Sequence, residues 1–319
     1  MTLPLLLAAA DSAGGWNNFW QFTIDGLAAG SLFALIALGY TMVYGIVELI
    51  NFAHGDVFML GSCLALAIVT HSGLADAGAV GTLALVGLML LVVPVFCASL
   101  NLAVDRVVYK PLRRAPKLAP LVSAIGVSFL FMNVGLFWEG AAEVNFPNLV
   151  SPDNLLSDAS GLRFTLKDLM VMLITVPIMA GLTLLVKFTR LGKAMRATAQ
   201  DPTAARLMGI NVDRVIGATF VIGGALAGAA SVIYGLYINT ISYQMGFQNG
   251  LYAFTAAVLG GIGNIPGAML GGLIIGLVRA FGDGYFGARW TSALVFLILI
   301  VILIFRPSGL LGTRTRDKV

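Results

Sequence analysis

Four polar side chains within nine residues are the first candidates for chemistry in this sequence. Glu48, Asn51, His54 and Asp56 lie between two stretches, 26–47 and 57–75, that contain no charged residue. Such a group could hold a metal ion, transfer protons or bind a polar solute. Charged side chains in apolar surroundings are costly unless they are paired or hydrated, so the cluster requires an explanation.

Metal binding and covalent catalysis find little support in the sequence. His71 is the only other histidine, and neither cysteine stands at a metal-ligand spacing from His54. The chain also lacks GxSxG, HExxH and paired Cys/His patterns, and it lacks the GxxxxGK[ST] loop that binds nucleotide phosphates. We therefore expect no metal site, no bound cofactor and no enzyme activity.

The composition places the cluster in a membrane protein. Of the 319 residues, 59% are apolar and 11% are charged, whereas about 25% of a soluble domain is charged. A spanning helix needs about 20 mainly apolar residues. We predict an all-α transmembrane helix bundle with about eight to ten crossings in one domain, 1–319. The charge-free stretches that predict the crossings are 26–47, 57–75, 77–104, 118–138, 169–186, 215–278 and 290–305.

Basic residues predict the orientation of the bundle. Lys and Arg are concentrated in 106–117, in 187–214 and after 305, so these regions are predicted to be cytoplasmic. Because no aromatic residues interleave with them, they do not indicate nucleic-acid binding. The segment 139–168 is predicted to be an external loop. The stretch 215–278 must then cross an odd number of times, and three crossings fit its length. The N-terminus is accordingly expected outside.

Glycine and proline predict where helices pack closely and where they break. Three crossings within 215–278 require short or broken helices, and we expect a break at 260–267. Small residues four apart predict close helix packing, or alternatively the lining of a solute path. A possible internal repeat pairs 26–37 with 246–257 and 51–61 with 264–271, as in transporters with interrupted helices. The pairs four apart are Gly26/Gly30, Gly224/Gly228, Gly267/Gly271 and Gly272/Gly276.

The polar cluster has two interpretations. It is either a cytoplasmic turn at the membrane surface or a broken helix that reaches into a translocation path. If 48–55 were helical, Glu48, Asn51 and Gly55 would share one face. Under the second interpretation, the side chains that border the path are Tyr40, Tyr44, Asn51, His54 and Asn264.

A short capped helix is predicted within the basic loop 187–214. Asp201 suits an N-cap, Pro202 the first helical position and Gly209 the position after the helix, while Asn211 can cap the next helix. Leu207 and Met208 are apolar residues of this helix, and we expect them to be exposed. The helix is either a simple turn or a plug that binds a cytoplasmic partner, and the exposed apolar pair favours the plug.

Several runs of residues resemble the LivH-type permeases of branched-chain amino acid ABC importers. The run Ala204-Ala205-Arg206-Leu207-Met208-Gly209 is similar to the A-A-x-x-x-G core of the loop by which ABC permeases contact their ATPases, although Thr203 replaces its Glu and no Leu-Pro follows. The resemblance extends over about residues 20 to 312. The other runs that carry it are 34–45 (ALIALGYTMVYG), 50–55 (INFAHG), 208–215 (MGINVDRV), 253–263 (AFTAAVLGGIG) and 265–269 (IPGAM).

The resemblance implies one half of an importer in a bacterial plasma (inner) membrane. Its partners would be a second, LivM-like permease or a second copy of this chain, two cytoplasmic ATPases that hydrolyse the ATP, and an external amino-acid-binding protein. The expected substrates are leucine, isoleucine and valine, with urea or short amides as the alternative. A stand-alone channel or secondary carrier would more usually place ionisable residues in mid-span, and 215–278 has none.

Overall fold

The computed structural model describes residues 14–73, 78–113, 115–116, 118–151, 153–156 and 161–312. The basic residues Arg114 and Lys117 and those of the tail after 312, on which part of the orientation prediction rests, lie outside the described residues.

The described chain is a bundle of α-helices, which confirms the predicted fold class. Eight helices are long and apolar enough to cross a membrane. The helices are α1 (Gly14–Val47), α2 (Ala53–Ser72), α3 (Gly78–Val104), α4 (Lys110–Leu112), α5 (Leu118–Glu139), α6 (Leu166–Phe188), α7 (Arg190–Gln200), α8 (Pro202–Leu207), α9 (Val212–Ile238), α10 (Met245–Gly260), α11 (Ile265–Tyr285) and α12 (Ala288–Phe305). A π-helical turn, Asp105–Tyr109, joins α3 to α4. A small antiparallel ladder pairs β1 (Val144–Asn145) with β2 (Thr240–Ile241).

The two predicted loops lie at opposite ends of α6. This 23-residue helix runs without interruption from the end of 139–168 to the start of 187–214. Thr165 begins it with a capping box, in which its hydroxyl accepts from the Asp168 amide while the Asp168 carboxylate accepts from the Thr165 amide. One helix of this length spans about 35 Å, which is enough to cross a bilayer core.

The segment 215–278 holds three helices, of which α9 and α11 are long and apolar enough to cross a membrane, so the three crossings stay a prediction. The three helices are α9, α10 and most of α11, and α10 is short at 16 residues. The break expected at 260–267 is confirmed, because α10 ends at Gly260 and α11 begins at Ile265. Gly261 and Gly263 have φ values of +102° and +90°, which side-chain-bearing residues rarely adopt.

The chain after α12 folds back onto this break. The amide of Leu310 donates to Leu259 O (2.8 Å) and the amide of Leu311 donates to Gly260 O (3.0 Å). The Asn264 side-chain amide donates to Leu311 O (2.6 Å). Carbonyls at a helix end have no partner within the helix, so the 308–312 segment caps α10 from outside it.

The predicted glycine pairs lie where helices cross. A Cβ placed at Gly276 or Gly272 of α11 would collide with the backbone of Gly30 or Ala34 of α1. Gly224 and Gly228 of α9 approach α3 at Ala98 and Pro94 in the same way, and Gly267 and Gly271 approach α10. The prediction of close helix packing is therefore confirmed. Small residues permit this approach, and in lipid such packing substitutes for the hydrophobic effect.

The core of the bundle is formed by α1, α2, α9 and α10. Most residues of α1, α2 and α9 are buried, whereas few residues of α5, α6 and α12 are. Apolar helices exposed on the outside of a bundle are suited to contact lipid or other membrane subunits. The buried centre therefore consists of the same helices that carry the polar cluster.

We predict that Gly272→Ala destabilises the protein by about 2 kcal/mol or more, because the added methyl group overlaps the α1 backbone and the two helices must separate. Gly126→Ala is the matched control, since Gly126 lies within α5 and a Cβ there meets no atom within 4 Å. Thermal unfolding of the two purified variants in detergent tests this. Equal melting temperatures for both would contradict the packing argument.

Candidate functional site

The polar cluster lies at a complete break between α1 and α2. α1 ends at Val47, and Glu48 follows with φ +56°, a left-handed conformation that stops the helix. The interpretation that places Glu48, Asn51 and Gly55 on one helical face is therefore wrong, since 48–52 is not helical. Glu48 is exposed, whereas Asn51 is buried. The cluster is divided into one exposed carboxylate and three buried polar side chains.

Hydrogen bonds from two other helices hold the break. The Asn51 amide donates to Asn101 Oδ1 (3.0 Å), and the Asn101 amide donates to Phe220 O in α9 (2.7 Å). Tyr109, in the π-helical turn, donates its hydroxyl proton to Ile50 O (3.0 Å). Because Asn51, Asn101 and Phe220 are buried, losing either amide bond leaves a buried polar atom unsatisfied. Asn51 is thus anchored inside the bundle, whereas Glu48, at the other end of the break, is exposed.

His54 and Tyr40 pack against each other beside the break. Their ring centroids are 4.8 Å apart with an interplanar angle of 69°, and Phe254 of α10 lies 6.1 Å from the Tyr40 ring. A Cβ at Gly39 would collide with the His54 ring, so glycine is required at that position. Tyr44 lies one turn further along α1. A narrow cleft at this point is lined by Tyr40, Tyr44, Ile50, Phe254, Ala257 and Ile262.

The five predicted path residues do not all meet. Tyr40, Tyr44, Asn51 and His54 gather around the α1–α2 break. Asn264 lies at the second break instead, where its side chain accepts from the Gly267 amide (3.1 Å) and donates to Leu311 O. It is the N-cap of α11. Its neighbour Ile262, rather than Asn264 itself, reaches the cleft.

Asp56 is a residue of this site that the predicted path omits. Its side chain is 0% exposed, and the Ser128 hydroxyl of α5 donates to its Oδ2 atom. Its Oδ1 atom has no hydrogen-bond partner. The sequence does contain the signal, because Asp56 is an ionisable residue between two charge-free stretches, but nothing there distinguishes it from Glu48.

Buried polar atoms without a partner are concentrated around the break. Each such atom in a folded protein requires an explanation, because burying it costs free energy. Elsewhere in the described residues, the corresponding atoms are Arg113 Nε and Thr198 Oγ1. Six buried polar atoms without a partner lie in the break or in the helices around it. They are Thr41 Oγ1, Asn51 Oδ1, His54 Nδ1, His54 Nε2, Asp56 Oδ1 and Thr255 Oγ1. No group of three or more metal-ligating side chains occurs among the described residues.

The second candidate element is α8 in the basic loop, and its predicted caps are confirmed. Asp201 Oδ1 accepts from the amides of Thr203 (2.7 Å) and Ala204 (3.1 Å). Asn211 Oδ1 accepts from the Arg214 amide (3.0 Å) and begins α9. The helix ends at Leu207, one residue earlier than predicted, because Met208 takes the C-cap position.

The apolar residues of α8 point in two directions. Ala205 is buried against the bundle, whereas Leu207 and Met208 are 85% and 82% exposed, as predicted. Gly209 follows with φ +81°, which turns the chain back toward α9. The short helix is thus seated on the bundle by Ala205 and presents an apolar tip of two residues, Leu207 and Met208.

A partly buried arginine, Arg113, connects the loop to the break. Arg113 lies 2.6 Å from Asp105 Oδ1 in the π-helical turn and also pairs with Asp213 at the start of α9. The same turn carries Tyr109, which donates to Ile50 O in the break. A π-helical turn is uncommon and often marks a functional position. Contacts therefore run continuously from the end of the basic loop to the polar cluster.

Comparison with known proteins assigns this architecture to a family. Residues 22–304 match the family described as "Branched-chain amino acid transport system / permease component". The chain belongs to this family. The match includes both helix breaks and α8, so the two candidate elements lie within the region that defines the family.

Individual relatives are similar over nearly their whole length. The chain is 42% identical to the high-affinity branched-chain amino acid transport system permease protein BraD of Pseudomonas aeruginosa, over 95% of this chain and 98% of that protein. It is 40% identical to the permease protein LivH of Escherichia coli K12, over 94% and 98% of the two chains. A probable LivH of Methanocaldococcus jannaschii is 27% identical over 88% of this chain and 89% of that protein. No solved structure matches.

We predict that Asn101→Ala destabilises this permease-family protein by about 2 kcal/mol or more, because Phe220 O loses its donor and the Asn51 amide loses its acceptor. Asn133→Ala is the control, since that exposed amide bonds only within its own helix, to Phe129 O, and should change stability by less than about 0.5 kcal/mol. Chemical or thermal unfolding in detergent measures both. A small effect of Asn101→Ala would mean that the break does not depend on this network.

Proposed function

We propose that this chain is a permease subunit of an ABC importer that moves leucine, isoleucine and valine inward across a bacterial plasma (inner) membrane. Membership of the branched-chain amino acid permease family supports the substrate class. The observation that carries the mechanism is α8, a capped helix whose exposed tip, Leu207 and Met208, is suited to insert into a partner. The chain itself binds no cofactor in this proposal.

The proposed partners divide the work among separate chains. An external binding protein delivers the amino acid at the side of 139–168. Two cytoplasmic ATPases hydrolyse ATP and contact the loop 187–214 through Asp201, Pro202, Ala204, Ala205, Leu207, Met208, Gly209 and Asn211. A second homologous permease, or a second copy of this chain, completes the membrane domain. Apolar surface on the outer helices α5, α6 and α12 is available for that contact and for lipid.

The proposed path follows the α1–α2 break. Interrupted helices mark substrate sites in many transporters, because unwound backbone is tolerated in a membrane where it lines a cavity or is buried in protein. Tyr40, Tyr44, Asn51 and His54 border the path in this proposal, and Asn264 borders it at the second break. The chain of contacts through Arg113 and Tyr109 gives a route by which movement of the loop reaches the break.

Uptake of labelled leucine by proteoliposomes tests the function. We expect uptake by the complete importer, assembled with both permeases, the ATPases and the binding protein, and we expect none when ATP or the binding protein is omitted. Uptake by this chain alone, indifferent to ATP and binding protein, would instead establish a stand-alone channel or carrier. Uptake of labelled urea or a short amide in place of leucine would identify the alternative substrate class.

We predict that the double substitution Leu207→Asp with Met208→Asp abolishes co-purification of the ATPases, because two carboxylates replace the apolar tip that enters the partner. Both side chains are more than four-fifths exposed, so the permease itself should fold normally. Co-purification from detergent-solubilised membranes is the measurement.

The matched control is Leu155→Asp with Leu156→Asp, which makes the same change at two exposed leucines in the loop 139–168. This variant should retain the ATPases fully. Unchanged co-purification in the Leu207/Met208 variant would contradict the proposed docking role of α8.

A further inference from the structure

Asp56 is a buried carboxylate with an unused hydrogen-bonding atom at the α1–α2 break. We infer that Asp56 binds the α-ammonium group of the amino acid as it passes through this subunit, at the place where α2, α5 and α10 meet. The inference rests on the proposed function, since it assigns one end of the zwitterionic substrate to one side chain.

The first argument is charge. A carboxylate withdrawn from water normally has a cationic partner, because its lost hydration must be replaced. The ion pairs in the described part of the chain are Arg113–Asp105, Arg113–Asp213 and Arg279–Asp283, and none includes Asp56. Asp105, Asp213 and Asp283, the three carboxylates in these pairs, each have an arginine. Asp168, which is also buried and has no arginine, is satisfied instead by hydrogen bonds from Thr165. Asp56 has no cation and also leaves its Oδ1 atom without a donor among the described residues.

The second argument is hydrogen bonding. Asp56 Oδ2 accepts from Ser128, which orients the carboxylate, while Oδ1 is buried and has no donor. An ammonium group supplies N–H donors together with the positive charge, so a single ligand would satisfy both deficits. A divalent metal ion is a poorer fit because it requires about six oxygen ligands, and one carboxylate beside one hydroxyl does not supply them.

The third argument is how a substrate can reach this atom. Oδ1 faces α10 at Gly246, where an added Cβ would lie 2.8 Å from it. Gly55 of α2 and Gly250 of α10 meet one turn away, and a Cβ at Gly250 would lie 3.1 Å from Gly55 Cα. Beside Asp56, the contact between α2 and α10 is therefore made in large part by backbone atoms of Gly55, Gly246 and Gly250. Helices joined in this way can separate without unlocking interdigitated side chains, which would open a gap directly onto the carboxylate.

The surroundings suit the rest of the ligand. Tyr40 and Phe254 line the cleft that adjoins the break, and the Tyr40 hydroxyl lies beside Gly250, since a Cβ there would be 3.0 Å from it. Apolar and aromatic groups next to one charged side chain are typical of sites for small amphiphilic ligands. An aliphatic amino acid presents that combination, with one ammonium group beside a branched hydrocarbon chain.

The test compares Asp56→Asn with Asp56→Glu in the complete reconstituted importer, using labelled leucine and a saturating amount of loaded binding protein. Asn keeps the shape and removes the charge, whereas Glu keeps the charge and adds one methylene group. We expect leucine uptake to fall about tenfold or more for Asp56→Asn and to fall less for Asp56→Glu. ATP hydrolysis stimulated by the binding protein should stay within about twofold of wild type in both variants.

The matched control is Asp283→Asn, which removes a carboxylate that already has Arg279 and Thr291 as partners in α11 and α12. Leucine uptake by the importer that carries Asp283→Asn should resemble uptake by the wild type. Uptake by Asp56→Asn within about twofold of wild type would overturn the inference, and so would uptake by Asp56→Glu no better than by Asp56→Asn. A parallel loss of ATP hydrolysis or of assembly in Asp56→Asn would assign Asp56 a structural role and would also overturn it. Failure of the wild-type importer to take up leucine would contradict the proposed function instead.

Discussion

Inside an apolar bundle, a broken helix leaves polar groups that water does not reach, and each must find a partner within the protein. The bond from Asn51 to Asn101, continued to Phe220 O, meets this requirement in part at the α1–α2 break, where Asn51 Oδ1 and Asp56 Oδ1 have no partner among the described residues. It joins the break to two helices, α3 and α9, through side-chain amides, which can donate and accept at once. With Tyr109 donating to Ile50 O, these bonds anchor the buried side of the break, and the first turn of α2 lies beside Tyr40 and α10.

Glycine residues set how closely the helices around the break approach one another. Where α1 crosses α11, and where α2 approaches α10, backbones touch directly, so the helices are positioned by main-chain shape rather than by interlocking side chains. The amide network therefore fixes the break, while the glycine contacts fix how near the surrounding helices lie to it. Both devices depend on residue types that a purely hydrophobic bundle would lack.

Hydropathy and charge were sufficient to predict the all-α bundle, and glycine and proline were sufficient to predict the break near Gly261, because these depend on composition and on local backbone rules. The caps of α8 were predictable for the same reason, because Asp201, Pro202 and Gly209 each affect backbone groups only a few residues away in the sequence. The long-range partners were not. Asn101 and Tyr109 lie 50 or more residues from the atoms they bond in the break, and no local pattern links them to it. Asp56 was visible as a charge, yet its burial depends on α5 and α10, so the sequence could not separate it from the exposed Glu48.

The segment that follows α12 has a consequence for how this protein is made. Its amides complete the end of α10, a helix that leaves the ribosome well before they do. Until that later segment has been synthesised and has folded back, the last carbonyls of α10 and the side chain of Asn264 lack these partners. The turn between α10 and α11 therefore reaches its final form late in biosynthesis. During insertion, the α10–α11 hairpin is therefore incomplete, and the translocation machinery or the neighbouring helices must accommodate it in that state.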